Sequence, residues 1–163
     1  MDRLQTFLAA ALLAGLAACG SESPSDWELP DPAVAQEWFG EDARVSLSGN
    51  VLELRGTIPA EFLRRGGSIW AESGPYFYIF NVKVQELLEQ YPDLAGVRAI
   101  AYTEDGEEVA RAMLRRDAIT GGQFEHGVRL ASRAQTEGTE SPRRVEDLIQ
   151  FGEEYTEYEY RER

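Results

Sequence analysis

An apolar run at the N-terminus sets the first limit on what this chain can fold into. Between Leu4 and Ala18 only Gln5 and Thr6 are polar, and after Phe7 the run is Ala, Leu and Gly alone. A stable bilayer-spanning helix needs about 20 apolar residues. This run is shorter, follows the positive charge of Arg3, and gives way to a Ser-, Pro- and acid-rich stretch. That is the pattern of a cleaved export signal, not of a core helix. Setting aside the signal and a tether leaves roughly 120 residues, one domain of ordinary size. The hydrophobic fraction of 43% and charged fraction of 28% suit a chain with a real core. That core has to hold without an internal disulfide, because Cys19 is the one cysteine.

The run ends in Leu16-Ala17-Ala18-Cys19. This resembles the lipobox of bacterial lipoproteins: a leucine, two small residues, then cysteine. The resemblance implies that residues 1–18 are removed by cutting the Ala18–Cys19 bond. It also implies that Cys19 carries a diacylglycerol and usually a further acyl chain on its amine. Two or three chains hold a protein at a membrane stably, at about 0.8 kcal/mol per buried methylene. Residue 20 is Gly. By resemblance to the sorting rule of enteric-type bacteria, this points to the outer membrane, with the domain facing the periplasm. The expected organisation is a signal at 1–18, an acidic tether at 19–32, one domain at 33–155 and an acidic, tyrosine-rich tail at 156–163.

The net charge of −13 is unevenly spread. Residues 20–43 hold seven acids and no Lys or Arg, residues 44–136 hold twelve acids and eleven bases, and residues 137–163 hold nine acids and four bases. A near-neutral body lacks the concentrated basic face that nucleic acid requires. The acidic ends serve solubility and repel anionic surfaces.

Local signals predict an α+β fold. The expected architecture is a small, mostly antiparallel sheet of about five strands with two hairpins, helices packed on one face, and two helices at the C-terminus. Asp31-Pro32 opens a short helix that Gly40 ends. Strands at 44–48 and 51–58 flank Gly49-Asn50, a two-residue hairpin loop; Val45 and Leu47 alternate along the first, Leu52, Leu54 and Ile58 along the second. Pro59 to Arg65 forms a helical turn. Residues 68–80 read as a further β region, with Ser73-Gly74-Pro75 as a turn and Tyr76 to Phe80 as a strand buried on both faces. Asn81 caps a helix whose Val84, Leu87, Leu88 and Tyr91 share one side. Strands at 97–103 and 109–114 flank Asp105-Gly106. Thr120 and Gln123 form a capping box for a helix that Gly138 ends, with Ile119 and Phe124 as a staple. Ser141-Pro142 opens the last helix, with Val145, Leu148, Ile149 and Tyr155 on its buried side.

Chemical motifs are sparse. The sequence contains no GxSxG, HExxH, P-loop or GxGxxG. His126 is the single histidine. One His and one committed Cys do not make a zinc site, so neither metal nor cofactor is expected. Glu125 is adjacent to His126 and points elsewhere on a helix, Thr120 and Ser132 are merely near in sequence, and no triad is marked. Three weaker features remain. The aromatic run 76–80, with Tyr76 and Tyr78, can form a stacking platform for a sugar or peptide together with Trp70. Gly66-Gly67, or Gly121-Gly122 at a helix start with Arg115 and Arg116 shortly before, can cradle an anion. Tyr158 and Tyr160 alternate with charge and suit either a half-buried edge strand or a frayed helix end; tyrosine also favours interfaces. Read together, these features describe a non-enzymatic envelope lipoprotein that acts by contact with an envelope protein. A small-molecule or glycan-binding domain is the alternative, and a hydrolase with two converging carboxylates the third.

Overall fold

The computed structural model describes residues 27–161, and the signal, the cleavage bond and Cys19 lie outside them. The chain joins the domain before its first helix. The Glu28 N–H donates to Asp93 Oδ2 at 2.7 Å, Leu29 packs against the core and Pro30 is buried. Helix α1 (Pro32–Phe39) starts where the Asp31 carboxylate accepts from the Ala33 N–H at 2.7 Å, with proline at its first position. Hairpin β1 (Arg44–Ser48) and β2 (Val51–Thr57) closes on Gly49-Asn50, and Gly49 takes φ +62° there. Helices α2 (Ala60–Gly66), α3 (Ser68–Ile79) and α4 (Val82–Gln90) carry the chain back over the sheet. Strands β3 (Gly96–Tyr102) and β4 (Glu108–Arg115) make the second hairpin. Helices α5 (Gly121–Glu137) and α6 (Arg143–Tyr155) precede a last strand, β5 (Glu157–Tyr160).

The five strands form one sheet in chain order, β1 to β5. Three pairings are antiparallel, and β2 with β3 is parallel because three helices separate them. The fold is α+β with a mixed sheet. Pleating sorts the strands into two faces. On the helix-covered face, Leu52, Val97 and Leu114 form one row, Leu54, Ala99 and Ala112 the next, and Gly56, Ala101 and Ala110 a third. The opposite face carries Glu53, Arg55, Arg98, Arg111, Glu157 and Glu159. Glu53, buried to 7% exposure, sits between Arg55 and Arg98, and Arg111 pairs with Glu108 and Glu159.

The segment 68–80, predicted as strand, is helix α3. Periodicity cannot separate a buried helix from a buried strand when a run is apolar throughout. α3 is buried on most sides: Trp70, Ala71, Ser73, Gly74, Pro75, Tyr76 and Ile79 are all inaccessible. Ser73-Gly74-Pro75, predicted as a turn, is mid-helix. A Cβ on Gly74 would stand 2.8 Å from the Ala101 Cβ, so the glycine lets α3 lie on the small-residue row of the sheet. Pro75 forfeits one helical hydrogen bond at this place.

The fifth strand comes instead from the segment assigned to the acidic tail. Residues 157–160 pair antiparallel with β4, in the edge-strand conformation. Tyr158 faces inward, 5.3 Å from the Tyr76 ring, and its hydroxyl donates to the Glu72 carbonyl at 3.1 Å. Elsewhere the local signals hold. Asn81 Oδ1 accepts from the Lys83 N–H at 2.9 Å, and both halves of the Thr120–Gln123 capping box are present. Gly138 does end α5, but with φ −63°. Its glycine is required because a Cβ would strike the Ala134 carbonyl and Val145, with Trp70 close by.

Candidate functional site

One broad cleft of about 950 Å³ opens at the carboxyl ends of the parallel pair β2 and β3. Groups from three parts of the fold build this cleft. The end of α1 and the loop after it contribute Phe39, Glu41 and Asp42; the ends of β2 and β3 contribute Thr57, Ile58, Tyr102 and Glu104; α2, α3 and the start of α4 contribute Phe62, Trp70, Phe77, Tyr78 and Lys83.

Six aromatic rings and six charged side chains line the cleft. Phe62 stacks on Trp70 at 4.5 Å between centroids, and Trp70 on Phe77 at 5.9 Å. Phe62 and Phe77 are half-buried, while Trp70 lies beneath them at 5% exposure. The hydroxyl end of the Tyr78 ring lies over Gly56, since a Cβ there would collide with its Cζ and hydroxyl oxygen. Burial raises the Tyr78 phenol above its ordinary range, and the Asp42 carboxylate adds to the rise. Lys83 Nζ lies 5.7 Å from the Phe39 ring centroid, a cation over an aromatic face.

Charge in the cleft is balanced, with Glu41, Asp42 and Glu104 against Arg44, Arg55 and Lys83. Arg44 and Arg55 are opposite one another in register and face the helix-free side of the sheet, where Arg55 is held by Glu53. Glu41 and Asp42 are exposed, and neither is ion-paired with a described residue. Glu104 accepts from the Ala60 N–H at 3.0 Å through one oxygen.

Of the residues singled out in the sequence, Trp70 and Tyr78 line this cleft and Tyr76 does not. Tyr76 points the other way from α3, fully buried, with its ring against Gly152. Its hydroxyl has no hydrogen-bond partner; neighbouring Thr156 donates to the Gly152 carbonyl at 2.8 Å. Arg116 and Gly121 do come together, in a small hollow of about 140 Å³ between α4 and α5. The Arg116 guanidinium is already occupied there, donating to the carbonyls of Leu94 at 2.6 Å and Tyr91 at 2.5 Å. It therefore satisfies carbonyls past the end of α4. Arg115 is at the surface with Asp117, whose carboxyl its hydrogen bond holds below the usual range. Gly121 and Gly122 are exposed, with nothing within 4 Å of where their Cβ atoms would be. Gly67 caps α2 at φ +61°. Tyr160, next to Tyr158 on β5, packs beside Val109 and Ile58. His126 is exposed on α5, edge-on to Phe151 at 5.2 Å.

The sequence reading missed Phe39, Asp42, Phe62 and Glu104, whereas Phe77 lies in the aromatic run 76–80 that it offered as a platform. The one signal shared by those missed is position, each within a few residues of a strand or helix end. Among the described residues, no group of three or more His, Cys, Asp or Glu is placed to hold a metal ion, and no helix is long and apolar enough to cross a membrane. No family model, curated protein or solved structure matches the chain.

Proposed function

We propose that this chain is a membrane-anchored envelope lipoprotein whose α+β domain binds a small organic ligand in the aromatic cleft, without catalysing a reaction. The lipobox-like Leu16-Ala17-Ala18-Cys19 supports the anchor. The cleft carries the binding reading. Its volume is within the range of ligand sites, and six aromatic rings share its lining with charged and polar side chains. The competing protein-contact reading draws on the anchor, on the sparse chemical motifs and on the tyrosine-bearing acidic end, of which Tyr158 and Tyr160 are used in the domain's own sheet and core.

Native mass spectrometry of the protein released from its own membranes tests this reading. The expected result is one small molecule retained at unit stoichiometry by the wild type and lost from Phe77→Ala, with circular dichroism unchanged. A wild type that arrives without a small molecule but with a stoichiometric protein would sink the ligand reading and restore the adaptor. Cys19→Ala should shift the protein from the membrane to the soluble fraction; retention at the membrane would refute the anchor.

A further inference from the structure

Resting on that ligand-binding reading, we infer that the cleft takes an uncharged carbohydrate, a short chain of sugar rings. One ligand has to meet three features of the lining. Phe62, Phe77, Tyr78 and Tyr102 line the cleft and are only half-buried. Hydrogen-bonding groups of both kinds stand among them. Lys83 touches the Phe39 ring and keeps its N–H donors, and Arg44 is ion-paired with no described residue. On the acceptor side, Glu104 keeps one oxygen beyond its bond to the Ala60 N–H, beside the carboxylates of Glu41 and Asp42. Gln135, exposed near the end of α5, brings a donor and an acceptor on one amide. Lastly, three cations stand against three carboxylates, so the lining has no net charge.

A wholly apolar ligand would cover the rings but strip water from the charged groups without replacing their hydrogen bonds, which costs free energy at each one. An ion of either sign gains from one set of charges what it loses to the other. A sugar ring suits all three features. Its C–H faces are apolar and lie on aromatic faces, whose negative quadrupole attracts the slightly positive hydrogens. Its hydroxyls, each a donor and an acceptor, project around the edge toward groups of both kinds. At about 950 Å³ the cleft is near the top of the range for small-ligand sites, which leaves room for more than one ring.

Isothermal titration of the full mature protein, in a detergent without a sugar headgroup, tests the assignment. The probes are cellobiose, maltose and diacetylchitobiose, with 2-phenylethanol as an aromatic that lacks the ring of hydroxyls. At least one disaccharide should bind at unit stoichiometry. Phe77→Ala should weaken it about tenfold, the loss of one ring contact. Gln135→Ala, at an exposed position that folding does not depend on, should weaken it several-fold. A disaccharide that binds the wild type and both variants equally is held elsewhere, and the assignment falls. If 2-phenylethanol binds, no disaccharide does and Phe77→Ala weakens the alcohol, the carbohydrate is overturned and the cleft reading survives. Should no probe bind, the molecule retained from the membrane decides. A carbohydrate upholds the assignment, any other compound overturns it alone, and none at all overturns the cleft reading with it.

Discussion

Tyr76 and Tyr158 illustrate how one residue's surroundings become a property of the whole domain. Burial is the main cause that raises both phenols far above their ordinary range, with nearby carboxylates of Glu72 and Glu153 acting in the same direction. In the unfolded chain both would ionise at about pH 10. Above that value the unfolded state binds fewer protons than the folded one, so stability is intact below pH 10 and falls as pH rises further. The urea midpoint measured from pH 8 to pH 11 should drop at the alkaline end, and Tyr76→Phe should make that drop shallower. At neutral pH the same substitution removes an unpartnered buried hydroxyl, so it should leave stability unchanged or raise it. A loss above about 1 kcal/mol would mean that the hydroxyl has a partner after all. Arg116 is the opposite case, because its guanidinium joins two backbone carbonyls. Arg116→Ala should cost about 1–3 kcal/mol in chemical denaturation, as bonds to a charged donor do. Lysine should not restore it, since a point ammonium lacks the planar fork that spans Leu94 and Tyr91.

At the scale of elements, what was legible in the sequence was what local chemistry decides. Gly49-Asn50 set the first hairpin. Asn81 and the Thr120–Gln123 pair set two helix starts within one residue. The turn at Asp105-Gly106 was also correctly placed, though it is a longer loop, closed by the Thr103 N–H to the Glu107 carbonyl at 2.9 Å, with Gly106 at φ +81°. α3 was misread because its composition is that of a core strand, and only the Gly/Ala row beneath it makes helix the better packing. The cleft was half legible. Trp70 and Tyr78 announced themselves as aromatics, whereas Phe39, Asp42 and Glu104 meet them only through the parallel β2–β3 crossover, which no local pattern states. The contact of Tyr78 with Gly56 tests that packing. Gly56→Ala should cost about 1–3 kcal/mol, the range for overfilled cores. In a Tyr78→Ala background the same change should be close to neutral, because the ring that blocks the new Cβ is gone. Equal costs in both backgrounds would show that something other than Tyr78 forbids a side chain at position 56.

For the molecule as a whole, the parallel pair β2 and β3 also orders the domain from end to end. Where the chain joins, Glu28 bonds Asp93 and Asn50 bonds the Asp93 carbonyl at 3.1 Å, all beside the amino ends of these strands. The cleft lies at their carboxyl ends, seven residues away and thus about 23 Å at the rise of a parallel strand. If Cys19 is acylated, nine residues at most about 32 Å long connect the membrane to Glu28. The join at Asp93 sets the Asn50 end nearer to the anchor than the cleft end, so a domain held short of that full length would present the cleft to solvent, where a small ligand can arrive without crossing the headgroups. Since Cys19 is the only cysteine and acylation would consume its thiol, single reporters are simple to introduce. Ser48→Cys marks the membrane-near end and Asp105→Cys the cleft rim; both positions are exposed. On vesicles carrying the acylated protein, a bulky polyethylene glycol maleimide should label Asp105→Cys as fast as it labels the unacylated chain in solution. Labelling of Ser48→Cys should be slowed several-fold by the vesicle and recover when the anchor is cut. Equal slowing at both positions would show that the tether docked at Asp93 does not fix which end meets the membrane. The orientation would then have to come from a partner rather than from the fold.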